Sequence, residues 1–210
     1  MEPVAPIIAI IDTETTGLSS DAQVTELAVR AYVHQSGSTS IDGYTMITCA
    51  YRVKPLRDGW QDSEEWQAAA QIQGKTTSGV EAHTWQLPDV ISDLALLFEG
   101  YPVYWIAHNA DFDRRLIRQS LGVSANRWWA SPWFCTLRLR FGSDSHKLTA
   151  VARHFNVDTA DSHSALGDVL ILDHVLQKYS DCNHRDLEHA PVYSKLTALL
   201  PHMRLVPLYP

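Results

Sequence analysis

The sequence predicts an α/β domain built on a mixed sheet, and two observations carry that expectation. Three strand-like stretches come first, joined by short links, in the manner of an antiparallel meander. Helix-patterned and strand-patterned stretches then alternate to about residue 180, which calls for crossover connections and parallel pairing. With 210 residues, 45% apolar and 20% charged, the chain suits one large domain with a sizeable core.

The elements follow in order. IIAII (7–11) is a short buried strand whose apolar run breaks at Asp12, followed by the polar TETTG turn. TELAVRAYVH (25–34) and YTMITCAYRVKP (44–55) are the next two strands, with SGSTSIDG turning between them. A polar, Trp-containing stretch over 56–87 is helical in places without a clear period. PDVISDLALLFEG (88–100) has helical spacing, with Pro88 and Asp89 at its start and Gly100 at its end. VYWIAH (103–108) is a fourth strand, and NADFDRRLIRQSLG a helix ending near Gly122. A short fifth strand spans Trp133–Cys135, and helices are predicted over 136–141, 146–155 and 163–179. Residues 1–180 thus form the predicted domain; 181–210 are a C-terminal tail of unassigned role with one short helix over 192–200.

Composition excludes several classes. No apolar stretch approaches the ~20 residues that span a bilayer, so no membrane partner is expected. MEPVAPIIAIID lacks a basic, apolar leader pattern. Cys49, Cys135 and Cys182 are odd in number and widely spaced, which fits neither a disulfide framework nor a zinc site and favours the cytoplasm. The net charge of −7 conceals an asymmetry: from Arg114 to Arg153 eight basic residues face one acid, Asp144. That segment is +7 and the remainder −14. It could serve a polyanion or simply be a solvated arginine-rich face. Trp128, Trp129 and Trp133 beside it are either base-stacking residues or core.

Three stretches carry chemistry. Asp12 and Glu14 stand at i and i+2, so an extended backbone aims both carboxylates the same way. Such a pair is either a wet strand end or a cation site. HNADFD (108–113) lies at a strand-to-helix corner, where ligands of mixed sheets collect. Helix capping by Asn109 or Asp111 would explain part of it, though not His108, Asn109 and Asp113 together. In DSHSALGDVLILDHVL (161–176), Ser162 is a candidate N-cap and Asp168 stands amid an apolar stripe. His163 is five residues earlier, about 140° round an ideal helix, so it must reach a shared site from the loop before the first turn.

DTETTGL, HNADFD and HSALGD, in this order and spacing, resemble the DEDDh, or DnaQ-like, 3′–5′ exonucleases, a group that includes polymerase proofreading subunits and exonuclease X. The resemblance covers roughly residues 7–178 and implies a ribonuclease H-like fold with a mixed five-stranded sheet flanked by helices. It implies four metal-binding acids, Asp12, Glu14, Asp113 and Asp168, and a catalytic histidine, His163, as general base. The implied cofactors are two divalent ions, Mg²⁺ or Mn²⁺, about 3.5–4 Å apart. Asp12 is expected to bridge both, Glu14 and Asp168 to help hold the nucleophile-side ion, and Asp113 to act through waters. Thr15, Thr16, Gly17 and Leu18 are expected to contact the terminal nucleotide, with Leu18 against its base, and His108 and Asn109 to line the same site. Where relatives carry a histidine ahead of the long helix, this chain has Gln73. The implied activity is release of nucleoside monophosphates from single-stranded DNA 3′ ends. The alternatives are an RNA-trimming exoribonuclease and a non-catalytic module on the same fold. A polymerase or a second copy of the chain are the candidate protein partners.

Overall fold

A computed structural model describes residues 4–34, 44–121, 131–139, 141–183 and 192–206 of the chain. Among them, six strands form one sheet: β1 (Ile7–Thr15), β2 (Val24–His34), β3 (Tyr44–Arg52), β4 (Val103–Ala107), β5 (Trp133–Cys135) and β6 (Arg204–Leu205). Their order is β3-β2-β1-β4-β5-β6. The first three make the antiparallel meander, while β4 pairs parallel to β1 and β5 parallel to β4. All five predicted strands are therefore present. The sixth comes from the C-terminal segment and pairs antiparallel with β5; two residues are too few to show a period in sequence.

The helices are α1 (Glu64–Gln73), α2 (Thr77–Glu81), α3 (Leu87–Leu97), α4 (Ala110–Leu121), α5 (Leu148–His154), α6 (Ala165–Asn183) and α7 (Val192–Leu199). One predicted helix is corrected. Over 136–141 only Thr136–Arg138 make a single 3₁₀ turn, after which Leu139 returns to extended backbone. Leu137 packs against one apolar layer beside the sheet, whereas Leu139 and Phe141, two residues apart, both pack into the other, as i and i+2 do on extended backbone.

Two apolar layers sandwich the sheet. Ile7, Ala9 and Ile11 of β1 join α3 and α4 on one face through Val90, Leu94, Leu116 and Ile117. Ile8 and Ile10 join α5, α6 and α7 on the other through Val151, Val169, Leu172, Leu196 and Leu199. The segment 192–206 thus packs into this second layer and the sheet edge. Trp60, Trp66 and Val80 form a small separate cluster under α1 and α2, which explains how a stretch with weak periodicity folds. No helix of the described residues is long and apolar enough to cross a membrane. The three cysteines are free.

Candidate active site

The site lies where β1 outlasts its neighbour. Parallel pairing with β4 stops at Ile10↔Ile106, whereas β2 follows β1 as far as Thr15. The strand therefore does not end at Asp12, as its apolar pattern predicts: it runs on in extended form with Thr13 and Thr15 buried and Asp12 and Glu14 half-buried. Among the described residues no strand pairs with β1 on its β4 side beyond Ile10. Asp113, from the first turn of α4, fills that role: its Oδ1 accepts from Thr13 N at 3.0 Å and from Thr13 Oγ1 at 2.8 Å. Asn109 takes a left-handed φ of 73° at the corner before α4, a conformation asparagine tolerates.

The opposite face of β1 meets the start of α6. Ligand oxygens of Asp12, Glu14 and Asp168 lie within 4.8 Å of one another. α6 begins at Ala165, so His163 is in the preceding loop as predicted, with a left-handed φ of 68°. The cap is Ser164 rather than Ser162: Ser164 Oγ accepts from Gly167 N at 3.1 Å and donates to Asp161 O at 3.0 Å. Gly167 is indispensable to this crossing, because a Cβ there would lie 1.8 Å from Asp161 O.

These groups floor an open cleft of about 430 Å³ that is also lined by Thr15, Gly17, Leu18, Ile72, Gln73, His108, Asn109 and Phe112. Leu18 and Ile72 are 73% and 63% exposed, an apolar ledge above the acids. Thr16 is buried beside the turn and lines a neighbouring groove. The turn is held from three sides. Arg115 donates to Leu18 O and Ser19 O, and Gln119 to Ser19 O and Ala22 O. Gln73 donates to Thr15 O at 3.0 Å. Gly17 allows α1 to approach: a Cβ there would meet Glu65 Oε2 at 2.6 Å. His108 ties the loop before α5 to the cleft floor, donating through Nε2 to His146 O, with Nδ1 facing Thr136 Oγ1. Burial lowers its pKa, which suits this neutral form.

Electrostatically the floor is loaded with repulsion. Burial, then Asp113, Asp168 and Glu14, push the Asp12 carboxyl well above the usual range. Glu14 rises to about 7, chiefly by burial, with Lys75 the charge that pulls it down. Asp113 also rises to about 7 by burial, against the lowering bonds from Thr13. Burial raises Asp168 too, offset by the His163 amide and ring. Glu26 adds to the repulsion on Asp12 and Glu14. Sequence reasoning missed Thr13, Glu26, Lys75, Arg115, Gln119 and Gly167; only the glycine, inside a helical pattern, left a signal.

The tryptophan and arginine expectations divide. Trp133 is fully buried, stacked on Trp105 at 5.7 Å between ring centroids, and so is core. Trp128, Trp129 and Arg127 lie outside the described residues. Arg114 is buried, and Arg115 serves the Leu18 turn.

Among solved structures, the chain superposes on Escherichia coli exonuclease I in complex with a dT13 oligonucleotide with a TM-score of 0.68 and 15% identity. The match covers 92% of this chain and 46% of that one. The chain has the fold of exonuclease I. The zinc-bound form of the E. coli exonuclease I complex with single-stranded DNA matches likewise, with a TM-score of 0.66 and 15% identity over 93% of this chain and 45% of that one. Among curated proteins, the PolC-type DNA polymerase III of Thermotoga maritima is 25% identical over 173 residues, 81% of this chain and 12% of the polymerase. The chain spans under half of exonuclease I and about an eighth of that polymerase. No family model matches. Both relatives agree with the resemblance carried by DTETTGL, HNADFD and HSALGD, and the ribonuclease H-like sheet is the one it implies.

Proposed function

We propose that this chain is a metal-dependent 3′–5′ exonuclease that removes nucleoside monophosphates from single-stranded DNA ends. The observation that carries the reading is the convergence of Asp12, Glu14 and Asp168, their ligand oxygens within 4.8 Å, on the floor of an open cleft. Asp113, tied to Thr13, lines the same cleft and is the fourth acid of this reading. The donors fit hard divalent cations: all are carboxylate oxygens, and the repulsion that raises their pKa values is what a dication relieves. Asp12, Glu14, Asp113 and Asp168 would hold two Mg²⁺ or Mn²⁺ ions. Such ions supply positive charge to the attacking and leaving oxygens of an in-line phosphoryl displacement.

The chain's own groups do the rest. Thr13 fixes the Asp113 carboxylate through two hydrogen bonds to one oxygen. His163 is exposed at the cleft beside Asp168, where its imidazole takes a proton from the attacking water. Leu18 and Ile72 offer apolar area to the terminal base, and the braced backbone of Thr15–Leu18 to its sugar and phosphate. The oligonucleotide complexes of exonuclease I support single-stranded DNA as the partner, since they place that ligand on the same fold. The likeness to a PolC-type polymerase supports docking to a polymerase as the assembly to test.

The test follows 3′- and 5′-labelled single-stranded DNA and RNA with Mg²⁺, Mn²⁺ or EDTA. Stepwise loss from the 3′ end of DNA, abolished by EDTA, is expected. Degradation that survives EDTA, or none with either metal, overturns the reading; faster loss from RNA converts it to an exoribonuclease.

A further inference from the structure

Lys75 lies outside the cleft lining, yet its ammonium is buried beside the acids. The side chain is 14% exposed and its Nζ is 3.2 Å from Oε1 of Glu26, itself 16% exposed. Glu26 stands directly opposite Glu14 in the β1–β2 register. Two carboxylates facing each other across an antiparallel pair repel. The other oxygen of Glu26 accepts from Ala165 N at 3.2 Å, at the first residue of the helix that brings Asp168. Glu26 therefore touches the Glu14 strand, the start of α6 and the corner after α1.

The local chain is built to deliver this lysine. α1 ends at Gly74 with a left-handed φ of 64°, and Lys75 N then bonds back to Ala70 O at 2.9 Å. Gln73 anchors the same corner to Thr15 O. Burying an ammonium costs stability unless an anion answers it, so a lysine with no electrostatic task would be expected at the surface.

We infer that Lys75 is a built-in counter-ion of the metal site, pairing with Glu26 so that this fifth acid stays apart from Asp12, Glu14, Asp113 and Asp168 and the site's negative charge is capped. Lys75 is a positioning residue and touches no reacting atom. The inference rests on the reading of those four acids as a divalent-metal site.

The test measures Mn²⁺ binding to the full chain without nucleic acid, by calorimetry and by the spin-resonance signal of free Mn²⁺. Charge alone makes opposite predictions for the two partners. Lys75→Met removes a positive charge and is expected to tighten Mn²⁺ binding roughly five- to tenfold. Glu26→Gln removes a negative charge and turns Lys75 towards Glu14, so it is expected to weaken binding by about the same factor. Lys75→Arg keeps the charge and stays within about twofold of the native chain. Should Lys75→Met fail to fold, Lys75→Gln replaces it with the same expected direction. A merely structural pair would weaken binding in both variants, and that result, or no shift in either, overturns the inference while leaving the metal site intact. A native chain that binds no Mn²⁺ overturns both this inference and the proposed function.

Discussion

Replacing Gly167 with alanine probes how the chain aims His163. The added methyl would sit 1.8 Å from Asp161 O and 2.8 Å from Ser164 Oγ, where ordinary contacts begin at 3.4 Å. The loop must therefore retreat by about 1.6 Å, the difference between the observed and the ordinary separation. Retreat breaks the Ser164 contacts to Asp161 O and Gly167 N and shifts the left-handed turn at His163. Overpacking of this kind costs about 1–3 kcal/mol of stability, which a chain of this size tolerates. A displacement of roughly 1 Å at a reacting group costs about a hundredfold in rate. Gly167→Ala is therefore expected to lower kcat about a hundredfold on 3′-labelled single-stranded DNA with little change in KM. The loss should not multiply with that of His163→Ala, since both act through one imidazole. A circular-dichroism melt confirms that the variant is folded. A kcat within about threefold of the native value, or losses that multiply, would refute the reasoning.

Three further outcomes follow from the same geometry. In the metal-free chain Glu14 and Asp113 titrate near 7 against ordinary values of 4.5 and 3.8. The native state thus holds protons that the unfolded chain has released, so this stabilisation is complete below about pH 4 and is lost as pH rises through about 7. The metal-free melting temperature should fall across that window while the increase produced by Mn²⁺ grows; parallel curves with and without metal would contradict it. Thr13→Val removes one of two hydrogen bonds to the buried Asp113 carboxyl and should cost about 1–3 kcal/mol by urea unfolding; an unchanged midpoint would leave the amide of Thr13 as the sole tether. Arg30→Met strands the fully buried Asp173, whose Oδ2 accepts from Arg30 Nε at 2.9 Å and Tyr32 Oη at 2.8 Å, and should cost about 3–5 kcal/mol by urea unfolding; a loss below about 1 kcal/mol would show that the tyrosine alone suffices.

Spacing alone left Asp12 and Glu14 as a wet strand end or a cation site and put His163 in the loop ahead of Asp168. It was the resemblance of DTETTGL, HNADFD and HSALGD that singled these residues out together, and the fold brings the ligand oxygens of Asp12, Glu14 and Asp168 within 4.8 Å of one another. The sheet was legible through short runs, continuously apolar in β1 and β4 and partly alternating in β2 and β3, set off by turn-like stretches. What sequence did not show is what holds these groups from a distance. Asp113 answers Thr13 across 100 residues, Ala165 answers Glu26 across 139, and no local period encodes either pairing. The extent of β1 was hidden for a related reason. Threonine and acid follow isoleucine at Asp12, which looks like an ending, although Thr13 and Thr15 are buried strand residues whose polar atoms have partners. The helix expected over 136–141 failed for another reason: only Thr136–Arg138 turn, and the backbone is extended again at Leu139. The arginines drew attention by number, yet Arg114 is buried and Arg115 braces the turn at Leu18.

That reassignment bears on how a polyanion enters the cleft at all. Its floor carries Asp12, Glu14, Asp113 and Asp168, and Glu65 stands on the wall, so without metal it offers phosphate no positive charge, and it repels phosphate once Glu14 and Asp113 ionise above about pH 7. Arg115, beside the Leu18 ledge, is committed to backbone carbonyls and to the face of Phe112, 5.4 Å from its ring centroid. Lys75 is paired with Glu26. Divalent ions would therefore have two tasks, reversing the sign of the floor before assisting the chemistry. The consequence is measurable apart from turnover: affinity for a 5′-fluorescein single-stranded oligonucleotide, followed by anisotropy, should rise at least about tenfold when EDTA is replaced by Ca²⁺. Ca²⁺ takes oxygen ligands at about 2.3–2.6 Å against about 2.0–2.1 Å for Mg²⁺, so it satisfies the charge without the tighter geometry. Asp12→Asn should shrink that gain, because it removes an anion the ions need. Binding that is equally tight in EDTA would mean that cations elsewhere on the chain carry the affinity, and the basic segment from Arg114 to Arg153 would regain the role its charge first implied.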